Sequence, residues 1–227
     1  MPRILLLNPN TSAASTQMMV QLVQAHCPPN WCVHGVTAPH GVALITNEAE
    51  LAQAALQVQA CWQQASAAAT VSGQPWDGVI LACFADPAID WLRQHTGVPT
   101  IGIGEAAMRA ASQHQQRFGI ATTTPALDAA MHAQAQRWGL GHLYTGARYT
   151  TGVPQQLLTQ ADALQQQLQA AVAECVVRDG AHTVVIGGGP LGQAAAALAA
   201  HTATPLIAPL HAAAQWMRSA LHSPSLN

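Results

Sequence analysis

The sequence contains no lysine: all eight basic residues other than histidine are arginines. Without lysine, the chain cannot form a Schiff base with pyridoxal phosphate, use a catalytic amine or build a phosphate-binding loop with its usual lysine. Charge is scarce altogether, because only 8% of the 227 residues are charged and the net charge is −2. No basic stripe is present, so the sequence predicts no nucleic-acid partner.

Long apolar runs are also missing, although 50% of the residues are hydrophobic. No stretch approaches the roughly 18 to 20 consecutive apolar residues that span a bilayer. The first eight residues carry an apolar run that is too short for a signal peptide, and no small-residue cleavage site follows it. We therefore expect no membrane partner and a cytoplasmic location.

Cysteine and histidine lack metal-binding spacing. The five cysteines are Cys27, Cys32, Cys61, Cys83 and Cys175. The four residues between Cys27 and Cys32 do not give a zinc-ligand spacing, and no matching cysteine or histidine pair follows. The eleven histidines are scattered along the chain. The sequence predicts free thiols and no metal site.

Continuous apolar runs alternate with helical segments along almost the whole chain. The predicted strands cover residues 3–7, 31–38, 78–84, 99–104, 117–121, 143–150, 182–186 and 205–207. Buried strands that alternate with helices are typical of a parallel sheet covered on both faces. The predicted fold class is therefore α/β.

Two parts of the sequence repeat. Residues 79–84 and 184–189 are both buried-strand patterns that end in a turn, and aligning them places Cys83 opposite Gly188. Residues 3–11 similarly resemble residues 117–125. The repetition predicts two Rossmann-like lobes related by a pseudo-twofold axis, with the active site between them. We assign residues 1–98 and 208–227 to the first lobe and 99–207 to the second.

Ligands of parallel sheets bind beyond the carboxyl ends of the strands. Four predicted strand ends carry small polar residues, a thiol or glycines: 8–12, 83–86, 122–124 and 187–192. Amide and hydroxyl side chains and the backbone N–H groups of helix starts suit an anion, either a carboxylate or the oxygens of a cyclic amide. The sequence therefore predicts a small anionic ligand.

The segment 187–192 also spells G-x-G-x-x-G after a strand, which is the dinucleotide-binding fingerprint. That fingerprint requires an acidic residue about 20 positions later to hold the ribose, and residues 205–212 contain none. Backbone donors for a small anion are the better interpretation.

Cys83 has two interpretations. A cysteine at the end of a buried strand is most often a small hydrophobic core residue. The helix predicted to start at Asp86 would instead lower the pKa of the thiol, although the Asp86 carboxylate itself would oppose the thiolate. Asp86 and Glu105 are expected to cap the helices that they begin.

The motifs as an ordered set resemble the aspartate/glutamate/hydantoin racemase superfamily, and the hydantoin racemase branch in particular. They are Leu-Asn-Pro-Asn-Thr-Ser at 7–12, Ala-Cys-Phe-Ala-Asp-Pro at 82–87, Pro-Thr-Ile-Gly-Ile-Gly-Glu-Ala-Ala at 99–107 and Ala-Thr-Thr at 121–123. The resemblance runs from residue 3 to about residue 214. It implies an active site between two lobes, with no cofactor.

The resemblance also implies roles for single residues. Family racemases use one cysteine on each face of the substrate carbon, and Cys83 matches the first of them. The second would stand at the position of Gly188, where this chain has no acid or base. The expected substrate contacts are Asn8, Thr11, Ser12, Phe84, Thr122, Thr123, Gly188 and Gly189.

Three functions remain open from the sequence. The first is a cofactor-independent racemase or isomerase of a small carboxylate, amino acid or hydantoin-type compound, with Cys83 as base or nucleophile. The second is a family member that binds a small carboxylate without turnover. The third is a decarboxylase or lyase of the same superfamily. The low surface charge favours a homo-oligomer.

Overall fold

The computed structural model describes residues 1–222, and the strands in this range form two four-stranded sheets. The strands are β1 (Arg3–Asn8), β2 (Cys32–Thr37), β3 (Gly78–Leu81), β4 (Thr100–Gly102), β5 (Phe118–Thr122), β6 (Tyr144–Tyr149), β7 (Thr183–Gly187) and β8 (Leu206–Ile207). The first sheet has the order β2-β1-β3-β4 and the second has the order β6-β5-β7-β8. Every pair is parallel. The predicted α/β class with two similar halves is confirmed.

Helices cover both faces of the two sheets. They are α1 (Ala13–Ala25), α2 (Glu48–Ser72), α3 (Ile89–Thr96), α4 (Ile103–Ala111), α5 (Asp128–Arg137), α6 (Pro154–Leu157), α7 (Ala161–Val177), α8 (Gly192–Ala199) and α9 (Pro209–His222). Ser12 and Asn47 cap α1 and α2 by accepting backbone N–H bonds through their side chains.

The core follows from the alternation of side chains along each strand. Ile4 and Leu6 of β1 face the core formed with α1 and α9, whereas Leu5 and Leu7 face α2 and α3. Helix α4 joins the two halves, because Ala106 belongs to the core of the first sheet and Met108 to that of the second. The two halves therefore pack closely, as the absence of a flexible linker implies.

The predicted lobe boundary at residue 99 needs correction. It places residues 100–102 in the second lobe, but this segment is β4, which pairs with β3 in the first sheet. The first sheet therefore extends to Gly102, and the chain passes to the second half through α4. A short strand gives no sequence signal for which of two sheets it joins, because that depends on pairing between distant residues.

No helix within residues 1–222 has the length and apolar character needed to cross a membrane. In the same range, no three side chains of His, Cys, Asp or Glu cluster as metal ligands.

Candidate active site

A small cavity lies where the carboxyl ends of the two sheets face each other. It has a volume of about 70 Å³. The turns after β1, β3, β5 and β7 contribute Asn10, residues 82–85, residues 122–124 and residues 187–191 respectively. The four strand ends singled out from the sequence therefore meet at one site.

The rest of the cavity wall is apolar. It consists of Leu44, Ile45, Leu127, Met131 and Leu158, which come from the loop before α2, from the start of α5 and its preceding turn, and from the end of α6. Among the described lining residues there is no arginine or histidine. A carboxylate in this cavity would have no cation to balance its charge, and burying an unpaired charge is costly.

Cys83 is the one titratable side chain among the described residues that line the cavity. It is half-buried and is not part of a disulfide. Burial raises the pKa of its thiol to about 12; the Ala85 N–H bond to the sulfur opposes this shift and the Asp86 carboxyl adds to it. In the empty cavity the group is therefore a neutral thiol at pH 7.

Gly188 lies at the end of β7, the counterpart of β3 in the second sheet. Its φ of 140° belongs to a region that L side chains rarely adopt. Space is not the obstacle, because a Cβ at Gly188 would meet only Leu191, at 3.4 Å. At Gly189, a Cβ would lie 2.6 Å from the sulfur of Met19, so the turn packs closely against α1.

Several polar groups of the wall are available to a ligand. The Thr122 hydroxyl donates a 2.6 Å hydrogen bond to the Gly187 carbonyl and can still accept one. Asn10 accepts bonds at Oδ1 from Asn8 and Ser12, which leaves its NH₂ group without a partner among the described residues. The backbone N–H groups of Phe84, Gly188 and Gly189 likewise donate no hydrogen bond within residues 1–222.

Five of the predicted contact residues line the cavity: Phe84, Thr122, Thr123, Gly188 and Gly189. Asn8, Thr11 and Ser12 do not line it. Asn8 is fully buried and donates to Asn10 Oδ1 at 2.8 Å and to Thr16 Oγ1 at 2.9 Å, so it supports the loop. The Ser12 hydroxyl caps α1 by accepting from Ser15 N at 3.2 Å.

Asp86 and Glu105 also differ from their expected roles. Helix α3 starts at Ile89, and the Asp86 carboxyl caps α4 instead by accepting from the N–H groups of Gly104 and Glu105. The Glu105 carboxylate pairs with Arg93 and Arg109 and is almost completely buried. Asp86 therefore connects the turn that carries Cys83 to α4, and Glu105 connects α4 to α3.

Sequence reasoning missed the apolar wall, because its residues lie in separate loops and helices and share no motif. It also missed Asn10, although Asn10 belongs to the Asn-Pro-Asn segment that was singled out. Alternation along an extended chain puts Asn8 and Asn10 on the same side, so periodicity could not show which of them reaches the cavity.

Residues 4–217 match the family model described as Asp/Glu/Hydantoin racemase. A hydantoin racemase of Paenarthrobacter aurescens is 25% identical over 211 residues, which cover 93% of this chain and 87% of that protein. The structure of an allantoin racemase from Klebsiella pneumoniae is 27% identical with a TM-score of 0.86, covering 97% of this chain and 88% of that one. An allantoin racemase structure from Pseudomonas fluorescens, 21% identical, has the same fold with a TM-score of 0.87 over 96% of this chain and 90% of that one. These relatives support a racemase-type enzyme, and the chain belongs to the Asp/Glu/hydantoin racemase family.

Proposed function

We propose that this protein is a cofactor-independent isomerase that acts at an acidic C–H bond of a small cyclic amide, with Cys83 as the acid/base group. The observation that carries this proposal is the position of Cys83: it is the one titratable side chain in the described cavity wall, at the edge where two parallel sheets meet. The names of the relatives, hydantoin racemase and allantoin racemase, agree with a cyclic amide.

The charge of the site favours a neutral substrate over a carboxylate. A carboxylate would lack a cationic partner among the described lining residues, and its charge would oppose formation of the Cys83 thiolate further. A hydantoin carries no formal charge before it reacts. Amino acids, diacids and malonate-type acids are therefore poorer candidate substrates than hydantoins. Of the two ligand types expected from the sequence, a carboxylate and the oxygens of a cyclic amide, the second fits the cavity better.

The apolar wall points to the substituent on the stereogenic carbon. Leu44, Ile45, Leu127, Met131 and Leu158 offer contacts to an alkyl or aryl group and no hydrogen bonds from their side chains. The ureido group of allantoin would leave several donors without partners there, which costs free energy when they are buried. Hydantoins with an apolar group at C5 fit better.

Removal of the C5 proton requires the thiolate form of Cys83, which is a strong base because the pKa of the thiol is raised. The Cys83 thiolate takes the proton from C5, so that an S–H bond forms while the C–H bond breaks. The electron pair moves onto the neighbouring carbonyl oxygen. Unpaired N–H groups of Phe84, Gly188 and Gly189, together with the NH₂ group of Asn10, are the donors available to stabilise that oxygen.

The opposite face of the ring lies toward Gly188, which has no acid or base to offer. Gly188 lines the cavity, and we infer that a water molecule occupies the space between it and the ring. Such a water donates a proton to C5 from that face; after the product leaves, the Cys83 thiol releases its proton to solvent, where it neutralises the hydroxide. Carbon is inverted, the thiolate is restored, and no proton is gained or lost overall.

The experiment uses enantiopure 5-isobutylhydantoin, allantoin and glutamate in D₂O. Polarimetry follows inversion, proton NMR follows exchange at the stereogenic carbon, and enzyme-free rates are subtracted. We expect loss of rotation and exchange with the hydantoin to exceed those with allantoin, and none with glutamate. A preference for glutamate contradicts the neutral-substrate proposal, and inactivity on all three contradicts the isomerase.

Binding without turnover is the second candidate function, since the described cavity wall has no acid or base besides Cys83 and that thiol is protonated at neutral pH. It predicts that the hydantoin raises the melting temperature equally in the native protein and in Cys83→Ala, with no exchange in either. Exchange that depends on Cys83 would exclude it.

A further inference from the structure

The turn of residues 83–88 carries Cys83 and is tied to two helices by one buried carboxyl group. Asp86 is only 3% exposed. Its Oδ1 accepts from Gly104 N at 3.1 Å, and its Oδ2 accepts from Glu105 N at 2.7 Å and from Gln134 Nε2 at 2.5 Å. Asp86 therefore joins the turn to the start of α4 and to α5.

Two glycines make room for this arrangement. A Cβ at Gly102 would overlap with the Asp86 carboxyl group, and a Cβ at Gly104 would overlap with the carbonyl oxygen of Phe84. The Gly-x-Gly pattern at 102–104 thus has a steric reason: the turn lies directly on the backbone that leads into α4.

The turn also holds an unfavourable backbone conformation. Asp86 and Ala88 have positive φ values of 47° and 54°, although neither is a glycine. Such conformations are energetically unfavourable for residues with a side chain and persist only where the surrounding structure determines them. The three hydrogen bonds to the Asp86 carboxyl are the interactions available to maintain this conformation.

Within the turn, two backbone N–H groups at and next to Asp86 form hydrogen bonds to Cys83. The Asp86 N–H donates to the Cys83 carbonyl at 3.0 Å, and the Ala85 N–H bonds to the Cys83 sulfur. Asp86 itself does not line the cavity. It can therefore affect the thiol without touching a substrate.

We propose that Asp86 is a positioning residue for Cys83: its carboxyl group fastens the turn to α4 and α5 and keeps the thiol packed into the cavity wall. The proposal relies on the proposed function only in taking Cys83 as the reacting group. It is tested on the thiol itself, so its outcome does not depend on any substrate being turned over.

The surroundings of Asp86 predict how the reactivity of the Cys83 thiol depends on pH. Burial, with a contribution from the Glu105 carboxylate, raises the pKa of the Asp86 carboxyl to about 8 against the opposing bonds from the N–H groups of Glu105 and Gly104 and from Gln134. Arg93 and Arg109 are engaged with Glu105. Asp86 is thus mostly neutral at pH 7 and negative at pH 9.5, where its charge next to Cys83 disfavours the thiolate.

The experiment measures alkylation of Cys83 by iodoacetamide, quantified on its own peptide by mass spectrometry, at pH 7 and pH 9.5. Asp86→Asn removes the charge and replaces one of the two accepting oxygens with an NH₂ group, so its rate should exceed that of the native protein about threefold at pH 7 and by a larger factor at pH 9.5. Asp86→Ala releases the turn, so the thiol should react about tenfold faster at pH 7. Asp90→Asn, which removes an exposed carboxylate of α3 that pairs with Arg137, is the matched control and should change neither rate.

Two results would overturn the proposal. One is an Asp86→Asn protein that folds and reacts at the native rate at both pH values, because the loss of an accepting oxygen should loosen the turn. The other is an Asp86→Ala protein that folds and reacts like the native one. If Asp86→Ala does not fold, the Asp86→Asn rates decide alone.

Discussion

Strands β3 and β7 occupy the same place in their respective sheets, yet the turns that follow them are built differently. After β3, the chain places a thiol at Cys83 and, three residues later, a buried carboxyl group at Asp86 that holds the turn. After β7, the equivalent positions are Gly188 and Leu191, and Leu191 packs into the apolar core with 2% exposure. The same strand arrangement is therefore followed by a turn with a thiol and a buried carboxyl group in the first half, and by a glycine turn without a reactive side chain in the second.

The difference shows that the symmetry of the fold does not extend to its chemistry. The first turn uses hydrogen bonds to hold two residues at positive φ, whereas the second uses glycine where φ is 140°. The reactive side chain thus lies in the turn that is held by hydrogen bonds. Three substitutions and one pH profile, from the largest expected effect to the smallest, test this contrast.

Removal of the thiol should have the largest effect. Cys83→Ala is expected to lower C5 exchange of 5-isobutylhydantoin by about 10³-fold, because no other titratable group among the described residues lines the cavity. Cys32→Ala, which removes a half-buried thiol from β2, is the matched control and should leave exchange unchanged. Equal exchange rates in the two variants would place the base elsewhere.

The pH dependence of the reaction should show the state of that thiol. Since the pKa of Cys83 is about 12, its ionised fraction rises tenfold per pH unit below that value. We expect kcat/KM to rise close to a hundredfold between pH 6 and pH 8, after subtraction of the enzyme-free rate. A bell-shaped profile centred near pH 7 would instead indicate a base with a much lower pKa.

A cysteine in the second turn would make the two halves alike. Gly188→Cys should raise the rate of inversion about tenfold, because it supplies a stronger acid than water on the opposite face. It should also lower the free energy of unfolding by about 1–3 kcal/mol, since a side chain at φ 140° is strained. Chemical denaturation measures the cost, and Gly188→Ala separates it from the chemistry.

The loop after β1 offers the smallest test. Asn10→Ala removes an unpaired NH₂ group from the cavity wall and should lower kcat/KM about threefold or more, as expected for loss of one hydrogen bond to the reacting carbonyl oxygen. Thr11→Ala, at the adjacent position outside the cavity, should leave kcat/KM unchanged. The reverse pattern would restore Thr11 as a contact residue.

The sequence could predict the fold because its signal is local. Continuous apolar runs such as Ile4–Leu7 and Val184–Ile186 mark buried parallel strands wherever they occur. The same runs located the strand ends and paired Cys83 with Gly188. These are the parts of the site that depend only on where a strand stops.

The rest depends on contacts between distant residues, which no local pattern encodes. Asp86 caps a helix 18 positions away instead of its own, and β4 joins the first sheet through pairing with β3. Asn8 carries the expected residue type, but hydrogen bonds to Thr16 draw its side chain toward α1. Side-chain direction at a strand end is set by such partners and was not predictable.

The two glycines beneath the Cys83 turn have a consequence for protein engineering. Because Gly102 and Gly104 leave room for Asp86 and the Phe84 carbonyl, the segments 83–88 and 102–104 form one structural unit. Moving the thiol-bearing turn into another scaffold would require both pieces together. If the cysteine segment were moved alone, a β-carbon at the position of Gly102 or Gly104 in the new scaffold would overlap with the Asp86 carboxyl group or the Phe84 carbonyl oxygen. The turn that positions the thiol would then change its conformation.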